Sequence, residues 1–277
     1  MTQTSDTPRR YPAKPSDVYL FGTCVLDLFD PEAGVSAAQL LERAGIRVHF
    51  PQDQTCCGQP AYTSGFPEEA RAVAARQLTL FPSIWPVIVP SGSCAGMMRH
   101  HWPKLFAEDP VHLPRAESIA SRTYELTEFL LHVLGVEWKG SKTAKAEKTE
   151  KAEKAAAKKE TAETVVLHTS CSARREMGTH VHARALLAQI DGVEVRQQGH
   201  EAECCGFGGS FSVKHPEISA AMAGDKVDAL LETGAETLVS ADAGCLLNLN
   251  GTLDKRGVKL RGQHIATYLW NKTQEAI

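Results

Sequence analysis

The chain has 277 residues, 43% of them hydrophobic, and a formal net charge of −3. This charge balance argues against nucleic acid as a partner, because nucleic-acid-binding proteins present a basic face. The N-terminus is polar and lacks the apolar core of a signal peptide, and no segment reaches the roughly 18 apolar residues of a transmembrane helix. We therefore expect a cytoplasmic protein, in which clustered cysteines indicate metal binding or catalysis.

The first part of the chain predicts strands and helices in alternation. After a flexible tail over residues 1–16, the predicted elements are a strand over 18–24, a helix over 36–44, a strand over 47–50, a helix over 67–80 and a strand over 87–90. The second helix begins at Pro67, because proline followed by acidic residues is typical of a helical first turn. This β-α-β-α-β order predicts a parallel sheet.

The second part of the chain repeats this pattern after a linker. Residues 140–163 consist almost entirely of Lys, Ala, Glu and Thr, which is typical of a solvated linker. The predicted elements beyond it are a strand over 165–171, a helix over 182–190, a strand over 193–197, a helix over 216–231 and a strand over 237–240. We expect an α/β protein of two pseudo-symmetric Rossmann-like halves with mainly parallel sheets, the first cysteine-rich domain spanning 17–139 and the second 164–277.

All eight cysteines fall into this repeat. The first set is Cys24, Cys56, Cys57 and Cys94, and the second set is Cys171, Cys204, Cys205 and Cys245. Matched members lie 147 to 151 residues apart, a spacing that implies a duplicated domain rather than a solenoid. Each cysteine follows a predicted strand, and the carboxyl ends of parallel strands meet at the edge where ligands bind. We therefore expect each set to converge on one site.

Four thiolates per half are compatible with several chemistries. A disulfide framework fits poorly, because a secretory signal is lacking and adjacent cysteines do not readily bridge to each other. Structural zinc remains an alternative, although the tight Cys-x₂₋₄-Cys knuckle of most zinc sites is absent. A thiol-redox site fits poorly because no resolving partner is evident. Iron–sulfur ligation fits best, since thiolate is its standard ligand and a cluster can be gripped by separate loops.

The doubled Cys…Cys-Cys-Gly…Cys arrangement resembles the CCG cysteine-rich domain family, which includes the cysteine-rich subunit of heterodisulfide reductase and the iron–sulfur subunit of glycolate oxidase. The segments that carry the resemblance are residues 54–61, 90–94, 122–126, 204–209, 212–219 and 262–266. The resemblance implies that all eight cysteines bind cofactor metal, as two iron–sulfur clusters of the [4Fe-4S] type. It also implies an iron–sulfur subunit of an oxidoreductase that oxidises L-lactate or a similar 2-hydroxy acid together with other iron–sulfur subunits. A zinc-binding, non-catalytic interaction protein is the alternative.

One departure from this family concerns the position three residues before the last cysteine of each half. The heterodisulfide reductase protein carries a further cysteine there, whereas this chain has Ser91 and Asp242. Each half thus keeps four thiolates, and we interpret Asp242 as a loop-turn residue in preference to an oxygen ligand.

Histidines and arginines near the cysteines are weaker candidates. His168 and His200 precede cysteines, and His264 is expected in a helical segment over 263–270; local hydrogen bonding or packing is the first interpretation of all three. Arg174 and Arg175 follow Cys171 and are candidates to bind a carboxylate.

Overall fold

The computed structural model describes residues 9–138 and 162–274. The strands are β1 Asp17–Leu20, β2 Arg47–His49, β3 Val87–Val89, β4 Thr123–Glu125, β5 Glu163–His168, β6 Val193–Arg196, β7 Thr237–Ser240 and β8 Arg261–His264. The helices of the first half are α1 Cys24–Phe29, α2 Pro31–Arg43, α3 Gln59–Thr63, α4 Pro67–Leu78, α5 Gly92–Gly96, α6 Trp102–Leu105, α7 Leu113–Ser121 and α8 Leu126–Glu128. The helices of the second half are α9 Thr179–Leu187, α10 Phe211–Lys214, α11 Pro216–Glu232, α12 Ala243–Lys255 and α13 Ile265–Thr273. Turns of π-helix cover Met97–His101, Phe129–Val133 and Ala173–Met177.

The strands form two four-stranded sheets with the same topology. The strand order is β2-β1-β3-β4 in the first sheet and β6-β5-β7-β8 in the second, and every pairing is parallel. This confirms the expected α/β fold with two similar halves. Successive strands are added on opposite sides of β1 and of β5, so the boundaries between β1 and β3 and between β5 and β7 are topological switch points, where ligands of such sheets bind.

The fourth strand of each sheet was not predicted. Residues 263–270 were expected to be helical, but His264 is the last residue of β8 and helix α13 begins at Ile265. The prediction was wrong because β8 carries only one buried side chain, that of His264, and so lacks an apolar run. The predicted linker, 140–163, lies outside the described residues except for its last two, and Glu163 already belongs to β5.

The two halves pack against each other through helices, each half placing one helix against a helix of the other. The last helix, α13, packs on α2 of the first half, and α8 packs on α9 of the second half. Arg43 of α2 donates from Nη1 to the carbonyl oxygen of Thr273 at 3.0 Å. One buried core therefore includes side chains of both sheets, such as Val18 and Val165. This packing turns the cysteine-bearing edges of the sheets toward each other.

Among the residues described, none of the helices combines the length and the apolar character that crossing a bilayer requires.

Candidate metal centres

The first cysteine quartet assembles at the carboxyl edge of the first sheet. Cys24 opens α1 directly after β1, Cys56 and Cys57 follow β2, and Cys94 lies in α5 after β3. The Sγ atoms of Cys57 and Cys94 are 3.2 Å apart, and the backbone N–H of Gly58 donates to Cys56 Sγ at 3.4 Å. The four residues that the sequence assigns to one site are therefore brought together.

The second quartet repeats this geometry. The Sγ atoms of Cys205 and Cys245 are 2.9 Å apart, and the N–H of Gly206 donates to Cys204 Sγ at 3.4 Å. Cys171 follows β5, as Cys24 follows β1. All eight cysteines are free thiols, and these sulfur separations exceed the about 2.05 Å of a disulfide bond.

Glycine after each cysteine pair is required by the backbone. Gly58 and Gly206 have φ angles of +90° and +81°, a region that favours glycine. A Cβ atom would lie 3.0 Å from the carbonyl oxygen of Ala70 at Gly58, and 2.6 Å from that of Ser219 at Gly206. The glycine thus lets each cysteine pair pack closely against the start of α4 or α11.

Each quartet stabilises negative charge on one sulfur. Hydrogen bonds from the thiols of Cys24 and Cys57 lower the pKa of Cys56 to about 3. Hydrogen bonds from Cys171 and Cys205 likewise lower the pKa of Cys204 to about 2. The pKa of Cys24 is raised, mainly because its thiol proton is shared with Cys56.

Four converging sulfurs are the donor set of a thiophilic metal centre, which would bind one existing thiolate and displace the protons of the remaining thiols. The residues present therefore fit a metal ion or an iron–sulfur cluster in each half.

A cavity of about 740 Å³ separates the two quartets, and all eight cysteines line it. Arg175 and Lys214 bring positive charge to its wall, and Phe207 and Phe211 bring aromatic surface. The two centres therefore face one shared space instead of opposite surfaces.

The other residues singled out in the sequence separate into two groups. Arg175 lines the cavity, whereas Arg174 forms an ion pair with Glu201 at 3.2 Å. His200 pairs with Glu203 at 2.6 Å, and His264 donates from Nε2 to the carbonyl oxygen of Pro90 at 3.0 Å. His200 is thus satisfied by a nearby side chain, whereas His264 is bonded to the first half, 174 residues away in the sequence.

His168 differs from these histidines. It is fully buried, and neither of its ring nitrogens has a hydrogen-bond partner among the described residues. Its ligand atom and the Sγ atoms of Cys205 and Cys245 all lie within 4.8 Å of one another. Burial, and then the charge of Lys226, lowers the pKa of His168 to about 4, so the imidazole is neutral. The first interpretation, a histidine satisfied by backbone, is wrong here because the quartet occupies the space beside the ring.

Asp242, interpreted as a loop-turn residue, does lie in the loop between β7 and α12. It occupies the N-cap position of α12 but caps no N–H of that helix. Its Oδ1 instead accepts hydrogen bonds from the hydroxyl of Ser91 and from the backbone N–H and hydroxyl of Ser93. Asp242 therefore joins the loops that carry the last cysteine of each half.

Lys226 was missed in the sequence, although it is 1% exposed and lies beside the second quartet. Its ammonium donates to the carbonyl oxygen of His200 and to Gln198 Oε1, and burial lowers its pKa. A signal was present: Lys226 stands ten residues after the proline that opens α11, and Gln77 stands ten after the proline that opens α4.

Comparison with known proteins gives one consistent result. The model of the CCG cysteine-rich domain matches residues 18–99 and 165–250. Lactate utilization protein A of Bacillus subtilis (strain 168) is 40% identical over 253 residues, which cover 91% of this chain and 98% of that protein. Lactate utilization protein A of Bacillus cytotoxicus is 40% identical over 252 residues, with the same coverage. Lactate utilization protein A 1 of Bacillus mycoides is 42% identical over 253 residues, covering 91% of this chain and 96% of that protein.

Among solved structures, a hypothetical protein from Helicobacter pylori has the same fold, with a TM-score of 0.56 and 10% identity. The match covers 98% of this chain but 52% of that protein, so this chain spans about half its length.

Proposed function

Because the chain belongs to the CCG cysteine-rich domain family, we propose that its two cysteine quartets each bind an iron–sulfur cluster, of the [4Fe-4S] type. We further propose that the protein is the electron-transferring subunit of an oxidoreductase that oxidises L-lactate or a similar 2-hydroxy acid. Support for the substrate comes from the relatives named lactate utilization protein A, which match nearly the whole chain.

The observation that carries the proposal is the convergence of two complete thiolate sets on one cavity. Cys24, Cys56, Cys57 and Cys94 would hold the first cluster, and Cys171, Cys204, Cys205 and Cys245 the second. When bound, such a cluster accepts and donates single electrons. The N–H groups of Gly58 and Gly206 donate to the anionic sulfur of each set and stabilise its charge.

The cavity offers a place for the carboxylate of the acid. Arg175 lies in its wall and is exposed, so its guanidinium can pair with a carboxylate in bidentate fashion. Arg174 is already paired with Glu201 and does not take this role.

The electrons must leave the chain, and we propose that other iron–sulfur subunits of the same complex receive them. Eight cysteines that stay out of disulfide bonds require a reducing compartment, which supports the cytoplasm as the location.

The test is purification without oxygen, followed by measurement of iron, sulfide and zinc and by electron paramagnetic resonance. The proposal requires a brown protein with iron and sulfide in equal amounts, about four of each per quartet. The alternative, a zinc-stabilised interaction protein, requires zinc, no sulfide and no colour. Zinc without sulfide would overturn the iron–sulfur proposal.

A further inference from the structure

The two quartets match in their sulfurs but differ in two buried neighbours. At the eleventh position of the equivalent helices α4 and α11, the first half has Gln77 and the second has Lys226. Three residues before the first cysteine, the first half has Phe21 and the second has His168. All four side chains are buried. The second site thus has an ammonium and an imidazole where the first has an amide and a phenyl ring.

Contacts of the backbone show that these positions are structurally equivalent. The fourth residue of each helix, Ala70 or Ser219, packs its carbonyl oxygen against the glycine of the cysteine pair. In the sheets, Leu20 pairs with Ile88 in the first half, and Leu167 pairs with Val239 in the second half. Phe21 directly follows Leu20 and His168 directly follows Leu167, so these two residues occupy equivalent positions.

Lys226 places a buried positive charge beside the second quartet. Both of its hydrogen-bond partners within the described part of the chain are neutral oxygens, on His200 and Gln198. A buried ammonium is costly unless negative charge lies close by. Besides Glu203, the groups whose charge acts on it are Cys204, Cys205 and Cys245.

Gln77 is neutral and does not need negative charge from the first quartet. Its Oε1 accepts from the N–H of Thr55 at 3.1 Å, and its Nε2 donates to the hydroxyl of Thr55 at 2.7 Å. The amide is therefore satisfied by the loop that carries the first cysteine pair, and it adds no net charge.

His168 adds a hydrogen-bond donor to the second site. A neutral imidazole carries one N–H, and neither ring nitrogen of His168 is used by another described residue. One ring nitrogen lies within 4.8 Å of the Cys205 and Cys245 sulfurs, which places the imidazole beside the centre. Phe21 offers no polar hydrogen at the matching place.

We propose that Lys226 and His168 give the second quartet the higher reduction potential, so that an electron entering the protein settles there before it occupies the first. Reduction adds one negative charge to the centre, and a nearby cation or N–H donor stabilises the reduced form. This inference rests on the proposed iron–sulfur function. It assigns to the second quartet the storage of an electron before transfer to a partner.

The experiment is a redox titration of the full chain, purified without oxygen and followed by electron paramagnetic resonance. Dithionite supplies the electrons through mediators, and Cys57→Ser and Cys205→Ser assign each signal to its half. We expect two midpoint potentials in the wild type, the higher one in the second half. Lys226→Gln should lower the reduced-to-oxidised ratio of that centre at least tenfold at a fixed potential, which is about 59 mV.

His168→Phe gives the second half the residue that the first half has at this position, and it should also lower the midpoint potential of the second centre. This variant tests the inference if Lys226→Gln fails to fold. Lys272→Gln is the matched control, because that lysine pairs with Glu163 at the surface. Equal midpoint potentials in the wild type would overturn the inference. So would an unchanged second signal in whichever of these variants retain iron and sulfide. Absence of iron and sulfide from the wild type would instead overturn the proposed function.

Discussion

Asp242 is hydrogen-bonded to Ser93 across the boundary between the two halves: its Oδ1 accepts from the Ser93 backbone N–H at 3.0 Å and from the hydroxyl at 2.6 Å. The same oxygen accepts from Ser91, the residue that matches Asp242 in the first half. These two residues thus hold the two cysteine-bearing loops together.

Replacing Asp242 should therefore weaken the contact between the halves. Asp242→Ala leaves two hydroxyl groups and one N–H without their buried acceptor, and we expect a loss of about 2–3 kcal/mol in the free energy of unfolding. Denaturant unfolding of the anaerobic protein measures this loss. The control is Asp254→Ala, which breaks an exposed pair with Arg261 and should change the free energy by less than about 1 kcal/mol. Equal losses in the two variants would contradict the role given to Asp242.

Gly92 should tolerate no side chain, because the second half packs directly on it. A Cβ atom there would lie 2.3 Å from the Cβ of Ala173. Gly92→Ala is expected to destabilise the protein by about 1–3 kcal/mol, as overpacking does in other cores. Gly251→Ala, on α12 with open space around it, should be neutral or stabilising by up to about 1 kcal/mol. Thermal unfolding of both variants tests the difference, and a stable Gly92→Ala variant would refute it.

The features predictable from the sequence were those that have local signals. Cysteine spacing indicated both quartets, and proline at the first turn marked the starts of α4 and α11. The strands β4 and β8 were not predicted. β4 consists of one tyrosine between a threonine and a glutamate, and β8 has a single buried side chain, so neither shows an apolar run that would distinguish a strand.

Contacts between the halves were beyond sequence reasoning for a different reason. The partner of Asp242 lies 149 residues away, and no local pattern encodes such a pairing. The burial of His168 and Lys226 was also not predictable, because burial of a polar side chain depends on how the loops close over it. Only comparison of the two halves position by position marks Lys226 as unusual.

Arg175 and Arg174 are adjacent in sequence but differ in their surroundings, which makes them a matched pair of variants. Arg175→Gln should weaken L-lactate binding about tenfold, or about 1.4 kcal/mol, because the substrate loses a charge-assisted hydrogen bond. Arg174→Gln should leave binding within about twofold, since its guanidinium pairs with Glu201. Titration of L-lactate against the paramagnetic signals of the anaerobic protein measures both affinities. A larger effect from Arg174→Gln would place the carboxylate elsewhere.

The two centres should load independently. Cys57→Ser removes a buried ligand from the first quartet only, and we expect about half of the iron and sulfide to be lost. Cys205→Ser should remove the other half. Iron and sulfide analysis with paramagnetic resonance identifies which signal disappears, and Ser212→Ala, outside both quartets, is the control. Complete loss of iron in both single variants would argue for one shared centre.

Glu125 makes the stability of the protein depend on pH. Its Oε2 accepts the backbone N–H groups of Thr127 at 2.8 Å and Glu128 at 3.2 Å, while its Oε1 is buried without a partner among the described residues. Burial, opposed in part by these hydrogen bonds, raises the pKa of Glu125 from 4.5 to about 8. At neutral pH the folded protein therefore holds a proton that the unfolded chain releases.

The sign of the effect follows from that proton. Stabilisation by the neutral carboxyl is fully present below the unfolded pKa of 4.5 and is lost as the pH rises toward the folded value of about 8. Glu125→Gln stays neutral at every pH and removes this dependence. The free energy of unfolding of the variant, minus that of the wild type, should grow by about 1.4 kcal/mol per pH unit between about pH 5.5 and about pH 7.5. Denaturant unfolding at several pH values measures the slope, and Glu68→Gln, on an exposed helix surface, should show none. If the difference between the Glu125→Gln variant and the wild type did not change with pH, the carboxyl would already be ionised in the folded protein.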